Sequence, residues 1–247
     1  MNPVVVLDNV SVRYRAADQL IGTFKEYAIR LIKRQVKFKN FSALNNVSLQ
    51  LNEGETLGVI GRNGAGKSTL LKVISRVLIP SEGRVRLRGR VSPLLELGAG
   101  FHPELTGMEN IFLNGTLLGH SRKEIEARLD DIIEFADLGS FINSPIRTFS
   151  TGMVARLGFS ICTTWKPDIL IIDEVLSVGD ENFRNKSGQR VMKFREQGTS
   201  SLLVSHNLTT IESLATKAIW LDHGQLKAEG TVKDVLKEYR QFLKSTQ

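Results

Sequence analysis

The run Gly61-Arg62-Asn63-Gly64-Ala65-Gly66-Lys67-Ser68-Thr69 constrains this chain more than any other stretch. It fits the pattern G-x-x-x-x-G-K-[ST], whose glycines let backbone N–H groups turn inward around a phosphate. At that spacing Lys67 reaches the β- and γ-phosphates and the Ser68 hydroxyl serves Mg²⁺. Such a loop needs a buried strand before it and a helix after it. Thr56 to Ile60 reads as that strand and Thr69 to Ile74 as that helix, with its N-terminal dipole facing the anion.

A second constellation belongs to the same chemistry. Ile169-Leu170-Ile171-Ile172-Asp173-Glu174 is an apolar run ending in two carboxylates, the pattern of a buried parallel strand with its polar end at the carboxyl edge of the sheet. Asp173 is expected in the Mg²⁺ shell and Glu174 beside the attacking water. Phe149-Ser150-Thr151-Gly152-Met153 opens a helix, Val154 to Thr164. Its N–H groups and hydroxyls suit an anion, but by itself the turn reads first as a simple helix cap. His206 follows the apolar strand Ser201 to Ser205, where a histidine is either structural or a γ-phosphate partner.

The surrounding pattern is α/β. Val4 to Tyr14 and Ala43 to Leu51 read as strands, as does Ala218 to Asp222. Arg84, Arg86, Arg88 and Arg90 alternate with small or apolar residues and predict a strand with one solvated basic face. From Pro103 to Trp165 the periodicity is helical, with one helix starting at Ser121 and running through Ala136. Arg184 to Gln197, Leu208 to Ala215 and Val232 to Phe242 are further helices. Between Tyr14 and Ala43, Leu20, Ile21, Phe24, Tyr27, Ala28, Leu31 and Ile32 recur at helical spacing among lysines and arginines. This basic amphipathic helix is either an ordinary surface helix or a contact with a membrane or membrane partner.

Bulk properties exclude some classes. A chain of 247 residues, 41% hydrophobic and 24% charged, is that of a soluble globular protein. No apolar run approaches the roughly 20 residues that span a bilayer. The N-terminus has no signal-peptide character, and Cys162 is the single cysteine, read as a small core residue. The net charge of +7 leaves nucleic acid or anionic lipid open as partners.

Phosphate loop, helical insertion, Ser-rich turn, Asp-Glu strand and His strand, in that order, resemble the ATP-binding cassette (ABC) ATPases across nearly the whole chain. The resemblance implies a phosphate-loop (RecA-like) core with an antiparallel β subdomain and an inserted helical subdomain. It implies one nucleotide-binding domain over 1–247, with 1–93 and 166–247 as the core, an insertion at 16–42, and 94–165 as the helical part. By the same resemblance Tyr14 stacks on adenine and Gly61, Arg62, Asn63, Gly64, Ala65, Gly66, Lys67, Ser68 and Thr69 hold the phosphates. Ser150, Thr151 and Gly152 are the signature turn that touches ATP across a dimer, and Ser177-Val178-Gly179-Asp180 crosses the same interface. Glu174 is the general base, His206 the switch histidine, and Lys67, with Ser68 and Asp173 at Mg²⁺, completes the site. The usual signature Leu-Ser-Gly-Gly-Gln is replaced by Phe-Ser-Thr-Gly-Met, and Glu96 stands nearest the place of a Mg²⁺-facing Gln.

Those departures, with Leu94 to Gly107 and the basic insertion, resemble the ATPases of bacterial polysaccharide exporters, O-antigen exporters foremost. Teichoic acid, capsule and galactan exporters are near relatives. The implied chain is a homodimer at the cytoplasmic face of the inner membrane, hydrolysing ATP with Mg²⁺ beside two copies of an integral-membrane permease. The complex would move a lipid-linked polysaccharide, with no nucleic acid bound. Leu94 to Asn110 would line the groove for the permease, and if the chain is complete it would lack a C-terminal glycan-reading domain. The alternatives are an exporter of another cargo, a soluble ABC ATPase acting on DNA or ribosomes, and an inactive regulatory cassette.

Overall fold

A computed structural model of the chain describes residues 2–17, 38–95, 97–173, 180–205 and 207–245. The expected amphipathic helix within the insertion lies outside the described residues. Two sheets share one interior. Strand β1 (Pro3–Ala17) pairs antiparallel with β2 (Phe38–Asn52) on one side and β4 (Glu82–Leu87) on the other. The second sheet runs β5 (Val91–Leu94), β6 (Ile169–Asp173), β7 (Ser200–Val204), β3 (Thr56–Ile60), β8 (Lys217–Asp222), β9 (Gln225–Gly230), parallel throughout except for β9.

The β1–β2 ladder keeps its apolar side chains on one face only because it is bulged. Leu7, Val10 and Val12 are buried opposite Leu49, Val47 and Leu44. Neither series keeps a strict period of two. One extra residue between Leu7 and Val10 and another between Val47 and Leu44 restore the common face. Asn9 and Asn46 both have φ 49°, a left-handed conformation that asparagine tolerates. The N–H groups displaced by these bulges donate to Ser48 Oγ (2.9 Å) and Ser11 Oγ (3.0 Å).

The central strands β3, β6 and β7 are buried on both faces. On one side they pack with β1, β2 and helix α1 (Lys67–Ile74). On the other they meet α6 (Glu181–Glu196), α7 (Leu208–Leu214) and α8 (Val232–Ser245). A third apolar cluster joins α2 (Gly107–Leu117), α3 (Arg122–Glu126), α4 (Leu129–Ala136) and α5 (Thr151–Cys162) around Ile111, Ile132 and Leu157. Cys162 packs against the second cluster, and burial pushes its thiol up to about 12.

Three local expectations change. The helix expected from Ser121 through Ala136 is two helices, α3 and α4, broken at Ala127 and Arg128, the latter at φ −118°. The strand expected over Arg84 to Arg90 ends at Leu87, and Val91 begins β5 in the other sheet. Strands β5 and β9 were not foreseen. The first contains Pro93, tolerated because β5 is a sheet edge with β6 as its one neighbour.

Candidate active site

The phosphate loop leaves β3 at the carboxyl edge of the parallel sheet and enters α1. Two of its glycines, Gly61 and Gly66, are forced by close approach as well as by conformation, and Gly64 by conformation alone. Gly61 has φ 152°, and a Cβ there would stand 2.2 Å from the Leu221 carbonyl oxygen. Gly66 has φ 105°, and its Cβ would meet the Ala43 carbonyl oxygen at 2.5 Å. The turn between β8 and β9 braces the loop, with Gly224 N–H donating to Ala65 O at 2.9 Å. Helix α1 starts with no side-chain cap, so its first turn presents backbone N–H groups at the loop. Lys67 is buried within the loop and its Nζ donates to Gly61 O (2.7 Å) and Arg62 O (3.0 Å).

Asp173 reaches the same edge through strand register. Val59 of β3 pairs with Val204 of β7, and Val204 pairs with Asp173 of β6. Asp173 therefore stands two strand spacings, about 10 Å, from the strand that feeds the loop. An open cleft of about 450 Å³ brings together the loop from Asn63 to Thr69, Asp173, Val204, Ala43 and two aromatics, Tyr14 and Phe41. Loop amides, a cation, a hydroxyl, a carboxylate and two aromatic rings thus line one cleft. Among the described residues no cluster of three His, Cys, Asp or Glu side chains exists to hold a metal unaided. Ser68 and Asp173 supply two oxygen donors, which suits Mg²⁺, an ion completing its shell with phosphate and water.

The Ser-rich turn lies elsewhere, and none of its residues lines this cleft. Ser150 Oγ caps α5 by accepting from Met153 N–H at 3.2 Å. Thr151 is exposed, and Gly152 has open space around it, Ser150 Oγ at 3.8 Å being the nearest atom to a built Cβ. Met153, where the family pattern has an amide, packs into the helical cluster instead. Asp180 does not line the cleft either. It caps α6 by accepting from Phe183 N–H at 2.9 Å, and its carboxylate pairs with Arg156 of α5. The Phe183 N–H above all, and then the Arg156 charge, hold the Asp180 carboxyl below its ordinary value.

Glu174, His206 and Glu96 lie outside the described residues, as do Ser177, Val178 and Gly179. Two contributors escaped the sequence reading. Phe41 lines the cleft, and its signal is an aromatic just ahead of the Ala43 strand. Arg156 joins α5 to the cap of α6 and also lies 5.2 Å over the Phe183 ring. No local pattern marks that contact.

Residues 44–177 match the family model described as ABC transporter. The O-antigen export system ATP-binding protein RfbB of Klebsiella pneumoniae is 43% identical over 245 residues, 98% of this chain and 100% of that protein. A Myxococcus xanthus protein of the same description is 44% identical, and this chain spans 56% of its length. The teichoic acids export ATP-binding protein TagH of Enterococcus faecalis is 47% identical over 85% of this chain and 46% of that protein. This chain thus spans about half of the latter two. Among solved structures, an ATP-binding subunit of an ABC transporter superposes with a TM-score of 0.73 at 24% identity, covering 96% of this chain and 93% of that one. A dimeric cassette in a post-hydrolysis state with ADP and Pi gives 0.69 at 23% identity, covering 92% and 98%.

Proposed function

The chain belongs to the ABC transporter family, and from that premise we propose that it is the ATP-hydrolysing subunit of a polysaccharide exporter. The observation that carries the catalytic half is the cleft that joins the phosphate loop, Lys67, Ser68 and Asp173 at one sheet edge. The cargo half rests on near-full-length likeness to a protein named for O-antigen export.

In this reading the loop amides and the α1 N-terminus bind the ATP phosphates. Lys67, already aimed into the loop, exchanges the Gly61 and Arg62 carbonyls for β- and γ-phosphate oxygens. Ser68 and Asp173 would hold Mg²⁺, which when bound neutralises charge on the phosphates. Glu174 takes the proton of the attacking water, His206 orients the γ-phosphate, and Glu96 would serve the metal directly or through water. Tyr14 stacks on adenine. The exposed turn Ser150-Thr151-Gly152 and Asp180 would act on the nucleotide of a second copy, since none of them lines its own cleft. A homodimer with two shared sites follows.

The partner surface is a groove of about 230 Å³ between the core and the helical cluster, lined by Leu95, Phe101, Leu117 and Val77 among others. Leu117 and Val77 are exposed, as is Ile79 on the same connection after α1. We assign this groove to an integral-membrane permease, two copies per dimer, and residues 94–165 to a helical subdomain that moves with it. Among the described residues no helix is long and apolar enough to cross a membrane. The proposed location is peripheral, at the cytoplasmic face of the bacterial inner membrane. O-antigen is the first cargo to test and teichoic acid the second, the latter favoured by the likeness to the Enterococcus faecalis protein.

Depleting the chain in its native cell and following glycan by immunoblot tests this. Loss of surface glycan with lipid-linked glycan accumulating inside supports export. An unchanged surface with no internal accumulation overturns it.

A further inference from the structure

Phe41 and Tyr14 face each other across the β1–β2 ladder, in register. Directly opposed residues on antiparallel strands project from the same face, their Cβ atoms about 5 Å apart. The face is set by a third bulge. Val12 pairs with Leu44 while the next residue, Arg13, pairs with Ser42, leaving Ala43 as the extra residue. Leu44 and Phe41, three positions apart, therefore share a side, as Val12 and Tyr14 do. Val12 and Leu44 are buried in the core. Tyr14 and Phe41 continue that face beyond the core's edge and overhang the phosphate loop, where both line the cleft.

Both rings are solvent-facing, Tyr14 at 40% and Phe41 at 58% exposure. The ladder continues past them through Arg15–Asn40 to Ala17–Phe38, so the pair sits inside a paired region rather than at a fraying end. Ala43, the bulge between this pair and the core, presses its carbonyl on Gly66 of the loop. The aromatic pair is thus fixed in height relative to the phosphates.

We propose that Phe41 is a second base-contact residue that, with Tyr14, makes a two-ring platform selecting purine over pyrimidine nucleotides. This rests on the nucleotide reading above. Cross-strand aromatics in register offer one extended aromatic surface, and a purine, the larger base, covers more of it than a pyrimidine does. A pyrimidine leaves more of that surface, on the Phe41 side, in water. Losing Phe41 removes the part of the stack that only a purine uses.

The test is competition binding on the full-length chain with Mg²⁺, using ATP, GTP, CTP, UTP and inorganic tripolyphosphate as a base-free probe. Phe41→Leu keeps apolar bulk without a π face, Phe41→Tyr keeps the face, and thermal melting of each variant checks the fold. The wild-type chain should prefer ATP and GTP. Phe41→Leu should bind both about tenfold more weakly, the scale of one lost base–aromatic stack. CTP, UTP and tripolyphosphate should change by less than about twofold, and Phe41→Tyr should behave as wild type. An unchanged ATP-to-CTP ratio in Phe41→Leu overturns the platform, as does an equal loss for tripolyphosphate. A wild-type chain that binds none of the five probes overturns the nucleotide reading itself, a different failure.

Discussion

The two turns expected to meet ATP, before α1 and before α5, are built on opposite principles. The turn before α1 has no side-chain cap, and its Gly61 and Gly66 are pressed against the Leu221 and Ala43 carbonyls. The turn before α5 is capped by its own Ser150 hydroxyl, and Gly152 stands in open space. The first is held rigid by its own fold and reserves its N–H groups for a ligand. The second is locally satisfied and exposed, so only something outside its own cleft can make it part of a site. Gly61 and Gly66 are required by the backbone packed against them, and Gly152 is not.

The largest expected effect comes from Gly66→Ala. A Cβ 2.5 Å from a backbone oxygen at φ 105° cannot be relieved by a side-chain shift. Binding of MgATP by calorimetry should fall below detection, with stability reduced by about 1–3 kcal/mol. Normal binding would remove the distinction between the two turns. Gly152→Ala should instead leave stability within about 0.5 kcal/mol. Nucleotide affinity of the monomer should be retained while dimer turnover drops on the order of 10²-fold, as expected for a misplaced contact across an interface. Equal losses of affinity and turnover would place Gly152 in its own chain's cleft.

Smaller effects sharpen the same contrast. Ser150→Ala removes the α5 cap and should cost about 1 kcal/mol in urea unfolding. Ser68→Ala has no cap to lose and should cost less in stability while weakening Mg²⁺-dependent binding. Asp180 gives a pH signature. Its carboxyl titrates lower in the folded chain than its unfolded value of about 3.9, so its contribution is present above that pH and is lost as pH falls through the folded value. Asp180→Asn should lower stability at neutral pH, leave it nearly unchanged below the folded value, and so flatten the acid limb of the stability curve. A shift of the whole curve would indicate a role beyond the cap and the Arg156 pair.

Legibility followed the range of the forces involved. Strands β3, β6 and β7 announced themselves because they are buried on both faces and carry short apolar runs. Strands β5 and β9 did not. One is a four-residue edge with a proline, and the other alternates exposed and half-buried residues, so neither carries a strong pattern. The break between α3 and α4 was missed because both halves keep the same apolar phase on either side of Ala127 and Arg128. Met153 was legible as a departure from the family signature, but its reason, packing in the helical cluster, was not.

The sequence by itself determined the phosphate loop, the strand and helix flanking it, and the carboxylate at the end of β6. Those features depend on a few consecutive residues whose backbone freedom and side-chain chemistry act locally. Only the tertiary structure decided that Asp173 shares an edge with Lys67, that Ser150 faces away from that cleft, and that Phe41 stands beside Tyr14. The first and last rest on strand register, where a single bulged residue moves every later side chain to the other face, and Ser150 is placed by the packing of Phe149 and Met153 in the helical cluster.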